Sequence, residues 1–393
     1  YQHKVVANIP APDGGRVEYP VPFNLNSLEI AFGPQEGARL GERLIAAYGA
    51  EKKVTIYDVA KHCGVSVATV SRIVNNVDYP VSAELRTRVQ ASVRELKYKP
   101  NMLGRYLKSN RTDEVGVIIP NISNFYYPGL IAGINDSLIH SGYNVLLCNS
   151  YRNPEYEKKQ FLSLLQKQVK GIIISTVSDD TSWIEEVNTD DVTVVAIEQP
   201  LHTPTHRVCF NYYGGGYMAA RYLVGMGHRD IAFISPPLTY ASRRQRLDGF
   251  LAGLKESGIE LDADHLRISD YERDDENVYE FNIGSRLAEK LMQLDTPPTA
   301  IFCINDMMAL GAIRALQRRG IRVPQDVSVL GFDNLALSEM ITPALTTVDQ
   351  CTREIGAKAI ELLTKSFADP AAPLETVRFK PKLVERESVA RRP

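Results

Sequence analysis

From Glu114 onwards the chain alternates short apolar runs with longer stretches whose apolar residues recur at helical spacing. The runs EVGVIIP, NVLLCNS, GIIIST and TVVAIEQ are bounded by Gly or polar residues, as strands buried on both faces are. Helical patterns at Tyr126–His140 and Pro154–Val169 separate them. The series resumes with DIAFISP, TAIFCIN and DVSVLGF, interleaved with helical patterns at Gly215–Met226, Ser242–Ser257, Val278–Gln293 and Asp306–Arg319. This alternation predicts parallel sheets covered by helices, and residues 113–393 accommodate two sheets of about five or six strands each.

Upstream the texture changes. Ile56–His62, Val67–Asn75 and Ala83–Leu96 read as three short helices with Thr55, Ser66 and Ser82 at their N-caps, and Gly64 separates the first two. Val59, Val65, Val70, Ile73, Val74, Leu85, Val89, Val93 and Leu96 recur at helical spacing and close one small core, marginal on its own. Residues 1–52, rich in Pro and Gly (NIPAPDGGRVEYPVPF), read as an extension of low order with one short helical pattern near Gly37–Tyr48. All seven methionines lie at or after Met102. The expectation is therefore a fragment, a fusion, or read-through of an alternative start near Lys53–Val54.

At 393 residues, 44% hydrophobic and 23% charged, the chain has the composition of a soluble globular protein of more than one domain. No apolar run approaches the roughly 18–20 residues of a membrane span, and the first thirty residues lack a signal-peptide core; a cytoplasmic location is expected. Five well-separated cysteines fit reduced, buried thiols and neither a disulfide nor a metal site. The net charge of −2 conceals an asymmetry: residues 51–112 hold twelve Lys/Arg against five Asp/Glu, a net of +7, so the rest sums to −9. A basic segment on an acidic body predicts a polyanion partner for that segment.

The basic segment coincides with a capped helix, a Gly-containing turn and a second capped helix, the helix-turn-helix arrangement. In it the first turns of the second helix enter the major groove. Val67, Ala68 and Arg72 then meet base edges, the small apolar groups at thymine methyls and Arg72 at guanine. Thr55, Tyr57, Ser66, Thr69, Ser71 and Asn75 offer hydrogen-bonding groups at positions suited to phosphates.

From Val54 to Ser388 the sequence resembles the lactose/galactose repressor family. TIYDVAKHCGVSVATVSRIVNN and VSAELRTRVQASVRELKYKPN are similar to its DNA-binding headpiece; GHRDIAFIS, RLDGF, FCINDMMALGAIRAL, VPQDVSVLGFDN and TPALTTVDQ resemble its core signatures. The resemblance implies a hinge at 99–112 with a short helix, Asn101–Lys108, in which Leu107 wedges into the minor groove beside Lys108. Gly104 departs from the usual alanine, so this hinge helix should depend unusually on DNA and dimer contacts. It also implies a core of two Rossmann-like lobes, similar to periplasmic sugar-binding proteins, with the effector at strand C-termini where the lobes meet. Phe125, Tyr126, Glu198, Asn305 and Asp333 follow such strand ends. Arg246 and Asp333 match the family positions most often seen on effectors, Asn305 a frequent third, and Ser242, Glu198, Phe210 and Tyr271 positions that line some pockets. Phe210 replaces a frequent aspartate, and the alternative for Asn305 is a cap on the following helix and for Asp333 a cap on the next turn.

The domain expectation is an extension (1–52), a headpiece (53–98), a hinge (99–112) and a core (113–393). Lobe 1 is expected at about 113–210 and 349–378, lobe 2 at about 211–348 and 379–390. Catalysis finds little support: there is no GxSxG or P-loop, Pro204 interrupts the pair His202 and His206, and GGGYMA lacks dinucleotide-loop spacing. The expected function is a homodimeric, sequence-specific repressor on palindromic operator DNA, without cofactor or metal and controlled by a sugar or sugar derivative. The alternatives are a small-molecule carrier without a DNA function and a purine-type, corepressor-dependent regulator.

Overall fold

A computed structural model describes residues 54–74, 80–98, 112–139, 141–178, 180–187, 192–270 and 278–392, and the backbone of an N-terminal hairpin. In the hairpin β1 (Lys4–Pro10) pairs antiparallel with β2 (Arg16–Pro22). The reading of 1–52 as low order did not anticipate it. Val5, Val6, Ile9, Val17 and Val21 favour extended backbone, and a two-stranded ribbon tolerates proline because both strands are edges.

Two compact units divide at Arg105 and Tyr106. The first holds α1 (Ile56–Cys63), α2 (Val67–Val74) and α3 (Ala83–Glu95). Asp58 Oδ2 accepts from the Thr55 amide at 2.8 Å and its hydroxyl at 2.7 Å, while the Asp58 amide donates back to Thr55 Oγ1, a capping box that fixes the start of α1. Gly64 ends it at φ 66°. No atom lies within 4 Å of where its Cβ would sit, so the left-handed backbone and not crowding selects glycine. Val59, Ala60, Cys63, Val70, Ile73 and Val89 are buried between the helices, with Val65, Val74, Leu85, Val93 and Leu96 packed around them.

The second unit holds two six-stranded sheets. One contains β3 (Glu114–Ile119), β4 (Asn144–Asn149), β5 (Gly171–Ile174), β6 (Thr193–Ile197), β7 (His206–Phe210) and, from much later in the chain, β13 (Thr376–Phe379). Its order is β4-β3-β5-β6-β7-β13, all parallel. The other contains β8 (Ile231–Ser235), β9 (Leu266–Ile268), β10 (Ala300–Cys303), β11 (Ser328–Asp333), β12 (Thr346–Asp349) and β14 (Lys382–Val384). Its order is β9-β8-β10-β11-β12-β14, with only β14 antiparallel. Central strands such as β5, β8 and β10 are buried along their whole length, which is why they carry no alternation. In both sheets the second strand lies outside the first, so the order reverses beside β3 and β8 and opens a crevice at the strand C-termini.

The helices are α4 (Tyr126–Leu138), α5 (Pro154–Gln166), α6 (Tyr212–Gly225), α7 (Ala241–Glu256), α8 (Tyr279–Leu291), α9 (Asp306–Arg318), α10 (Leu337–Met340) and α11 (Thr352–Ala368). The chain crosses between lobes after β7, after β12, and between β13 and β14. Helices α6 and α7 touch backbone to backbone: a Cβ on Gly216 would lie 1.9 Å from the Arg246 carbonyl oxygen, and one on Gly249 1.9 Å from that of Tyr213. This approach, open only to glycine, sets where the Arg246 side chain leaves α7.

Candidate functional site

In the headpiece, Tyr57 is 71% exposed. Thr55, Ser66, Ala68 and Arg72 are exposed too, while Thr69 and Ser71 are half-buried. The Ser66 hydroxyl accepts from the Thr69 amide at 3.1 Å and lies 2.8 Å from the Thr69 hydroxyl, so both side chains first serve the start of α2. Val67, expected at a base edge, is half-buried and packs on the small core, while Ala68 and Arg72 are exposed. Asn75, the hinge residues Asn101, Leu107 and Lys108, and Tyr271 lie outside the described residues.

Between the lobes of the second unit lies a cavity of about 510 Å³, lined by Tyr126, Glu198, Phe210, Ser242, Arg246, Asn305 and Asp333 among others. Phe125 is not among them. It sits at the N-terminal end of α4, 39% exposed, beside Asn124, Val278 and Met307 in a small adjoining crevice that shares Asn124, Arg152 and Glu280 with the cavity. The helix begins one residue after Phe125 and turns the side chain of Tyr126, not that of Phe125, inward.

Lobe 2 supplies a charged centre. Arg246, on α7, donates from Nη1 to the Ile304 carbonyl at 2.6 Å and lies 3.9 Å from Asp333 Oδ1. Its guanidinium stacks 4.1 Å from the centroid of Phe332 and 4.9 Å from that of Tyr212. Asp333 ends β11 at φ 133° and accepts from Gln350 Nε2. Burial pushes its carboxyl well above the usual carboxylate range, although Arg246 opposes the shift. Asn305 accepts from the Met308 amide at 3.0 Å, capping α9 while facing the cavity. Its neighbour Asp306 is fully buried and accepts from the Ser338 and Thr347 hydroxyls and the Leu335 amide, so it braces the strand ends and lies outside the lining.

Lobe 1 answers with Glu198, held at φ 66°. Its carboxyl accepts from the Tyr126 hydroxyl at 3.0 Å and the Phe210 amide at 3.2 Å, and burial raises its pKa. The Tyr126 and Tyr212 phenols are likewise pushed well above their usual value by burial. Phe210 lines the cavity but is only 3% exposed, its ring edge-on to Tyr212 and Phe332. It acts mainly as wall packing.

Sequence reasoning missed several lining groups: Arg152, Arg207, Arg243, Arg378, Glu280 and Gln350. Arg243 precedes Arg246 by three residues on α7, a helical spacing legible in RRQR; it lies 3.6 Å from Glu280 and donates to the Pro237 carbonyl at 2.8 Å. Arg207 and Arg378 sit on β7 and β13, which carry no recognisable apolar run.

Residues 55–101 match the model of bacterial regulatory proteins of the lacI family, and 220–389 that of a periplasmic binding protein-like domain. The HTH-type transcriptional repressor PurR of Mannheimia succiniciproducens is 34% identical over 337 residues, 85% of this chain and 98% of that protein. The crystal structure of the lac repressor dimer bound to operator and the anti-inducer ONPF superposes with a TM-score of 0.74 at 30% identity, covering 86% of this chain and 100% of that one. The complex of the transcriptional regulator CelR with cellobiose gives 0.61 at 27%, covering 85% and 99%. The chain belongs to the lacI family: it is a DNA-binding transcriptional repressor and not an enzyme, of a family that binds operator DNA as dimers under the control of small-molecule effectors.

Proposed function

We propose that the interlobe cavity is the effector site, that the effector is a carbohydrate, and that Tyr126, Glu198, Ser242, Arg246, Asn305 and Asp333 contact it. One observation carries this reading. Two lining residues, Arg246 and Gln350, each carry a buried polar atom, Nε and Oε1, with no hydrogen-bond partner among the described residues. One is a donor and the other an acceptor. A buried polar group without a partner costs about 1–3 kcal/mol, and a polyhydroxylated ring, whose hydroxyls both donate and accept, offers a partner to a donor and to an acceptor. The likeness to the CelR–cellobiose complex supports the same chemistry. On the DNA side, Tyr57, Ala68, Thr69, Ser71 and Arg72 carry the half-site contacts, with one headpiece of a homodimer on each half of a palindromic operator in the cytoplasm.

A purine corepressor is the second reading, favoured by the relatives named PurR. Titration calorimetry of the full chain with neutral sugars and with hypoxanthine and guanine separates the two. A sugar that binds wild type and loses at least tenfold in affinity in Arg246→Ala, with operator binding retained, is the expected outcome. Binding confined to the nucleobases would overturn the carbohydrate reading, and equal sugar binding by Arg246→Ala would overturn the site.

A further inference from the structure

Among the described residues, the charges that line the cavity do not balance. Of these residues, five arginines (Arg152, Arg207, Arg243, Arg246 and Arg378) face three carboxyls (Glu198, Glu280 and Asp333). Asp333 is the partner of Arg246 at 3.9 Å and Glu280 that of Arg243 at 3.6 Å. The third carboxyl, Glu198, is engaged by the Tyr126 hydroxyl and the Phe210 amide. No carboxylate among the described residues lies within ion-pair distance of Arg207 or Arg378.

These two arginines share one place. β7 and β13 run parallel with Arg378 opposite Cys209. Cys209 lies two residues from Arg207, so alternation puts Arg207, Cys209 and Arg378 on the same face of the sheet. All three line the cavity. Arg207 is half-buried, and its Nε donates to the main-chain carbonyl of Glu198 at 2.7 Å, joined by Nη2. That neutral acceptor orients the guanidinium without cancelling its charge. Arg378 is exposed, and its side chain has neither a hydrogen bond nor an ion pair among the described residues. A solvated surface arginine would account for Arg378 alone; it does not account for Arg207, fixed beside it and aimed into the same cleft.

We infer that the effector is anionic, a hydroxylated ring bearing a carboxylate or a phosphate, and that Arg207 and Arg378 hold its oxyanion. Planar guanidinium forks match both groups in bidentate fashion, and such charge-assisted bonds are roughly twice as strong as neutral ones. The inference rests on the cleft being the effector site, but the anion pair is distinct from the orphaned atoms on Arg246 and Gln350 that point to hydroxyls.

The test uses the full chain at constant ionic strength. Inorganic phosphate is titrated calorimetrically into wild type, Arg378→Gln, Arg207→Gln and the charge-retaining Arg207→Lys. Sugars are then compared in matched sets of parent, acid and phosphate: glucose, glucuronate and glucose 6-phosphate, and the corresponding galactose set. Phosphate should bind wild type, weaken at least tenfold in either glutamine variant and recover in part in Arg207→Lys. The acid or the phosphate should outbind its neutral parent at least tenfold, and which of the two does so identifies the source of the oxyanion. Since Arg378 lies on an exposed edge strand, its variant reports on charge even if the Arg207 variants unfold.

The inference is overturned if phosphate binding is absent and no anionic sugar outbinds its parent, because the guanidinium charge is then neutralised within the chain. It is equally overturned if phosphate binding is unchanged in both glutamine variants. Nucleobase binding alongside an intact phosphate response would sink the carbohydrate reading and leave the anion site standing; neutral sugars binding as well as their acids would do the reverse.

Discussion

Replacing Arg246 by Met tests the charged centre of the cleft without a bound effector. Methionine keeps a flexible chain against Phe332 and Tyr212, so little cavity is created. What is lost is the cation beside Asp333 and the donor to the Ile304 carbonyl. Both ionic side chains are about nine-tenths buried, at 10% and 9% exposure, and removing one partner of a buried pair costs about 3–5 kcal/mol. The 3.9 Å separation argues for the lower end, and the unmatched carbonyl adds about 1 kcal/mol. A loss of about 4 kcal/mol corresponds to a fall of about 10 °C in Tm for a core of this size. The sign of the pH dependence follows from Asp333, whose folded-state pKa burial raises even with Arg246 present. A carboxyl so raised leaves stability intact below its unfolded value of about 3.9 and withdraws it as pH rises through the folded value. Without the cation the folded value climbs further. The gap between wild type and variant should therefore be widest near neutral pH and narrow as pH falls toward the unfolded value. Differential scanning calorimetry at about pH 5 and about pH 8 reads this directly. A difference that does not change with pH, or strict additivity of Arg246→Met with Asp333→Asn, would refute the coupling.

Gly249→Ala, whose Cβ would meet the Tyr213 carbonyl oxygen at 1.9 Å, should lose about 1–3 kcal/mol through forced separation of α6 and α7. Gly225→Ala, with nothing within 4 Å, should be neutral or stabilising; similar Tm values for the two would remove close packing as the cause. Thr55→Ala breaks the capping box of α1 and should cost the headpiece about 1 kcal/mol, read by circular dichroism and accompanied by weaker operator binding. Arg72→Ala should weaken operator binding by about 1–3 kcal/mol and relax discrimination at one base pair; an equal loss on every DNA sequence in gel shifts at fixed salt would place Arg72 on phosphate instead.

The elements most legible in the sequence are those whose chemistry is local. N-caps at Thr55, Ser66 and Ser82 and the turn at Gly64 are encoded in a few adjacent residues, and the interior strands announce themselves because burial on both faces demands continuous apolar side chains. Edge strands obey neither rule. β9, β13 and β14 are short and half-exposed, so TVRF reads as a loop until β7 is seen beside it. The lining followed the same division. Tyr126, Glu198, Asn305 and Asp333 stand at ends of recognisable strands, whereas Arg207 and Arg378 are brought together only by a strand returning from more than 160 residues away. Phe125 shows the limit from the other side, since one residue of helix phase separates a lining side chain from a neighbouring crevice.

A ligand bound in the cleft, as proposed above, would gain its leverage on the lobes at the crossing points. Phe210 and Tyr212 flank the first crossing and Gln350 lies on the second, and all three line the cavity. Gln350 bonds directly to Asp333. A molecule that pairs with Asp333 or with Gln350 Oε1 thus acts on the segment between β12 and α11, which leaves one lobe and enters the other. A ligand shifts an equilibrium only by its differential affinity for the two arrangements. Contacts on a crossing segment are where such a difference arises, because the backbone there changes most when the lobes rotate. Gln350→Ala removes the acceptor but leaves Arg246 in place. If leverage passes through the crossing, effector affinity should fall less than tenfold while the change in operator affinity per bound effector falls more. Equal losses in the two, measured by calorimetry and by operator titration at saturating effector, would show Gln350 to be a binding contact only.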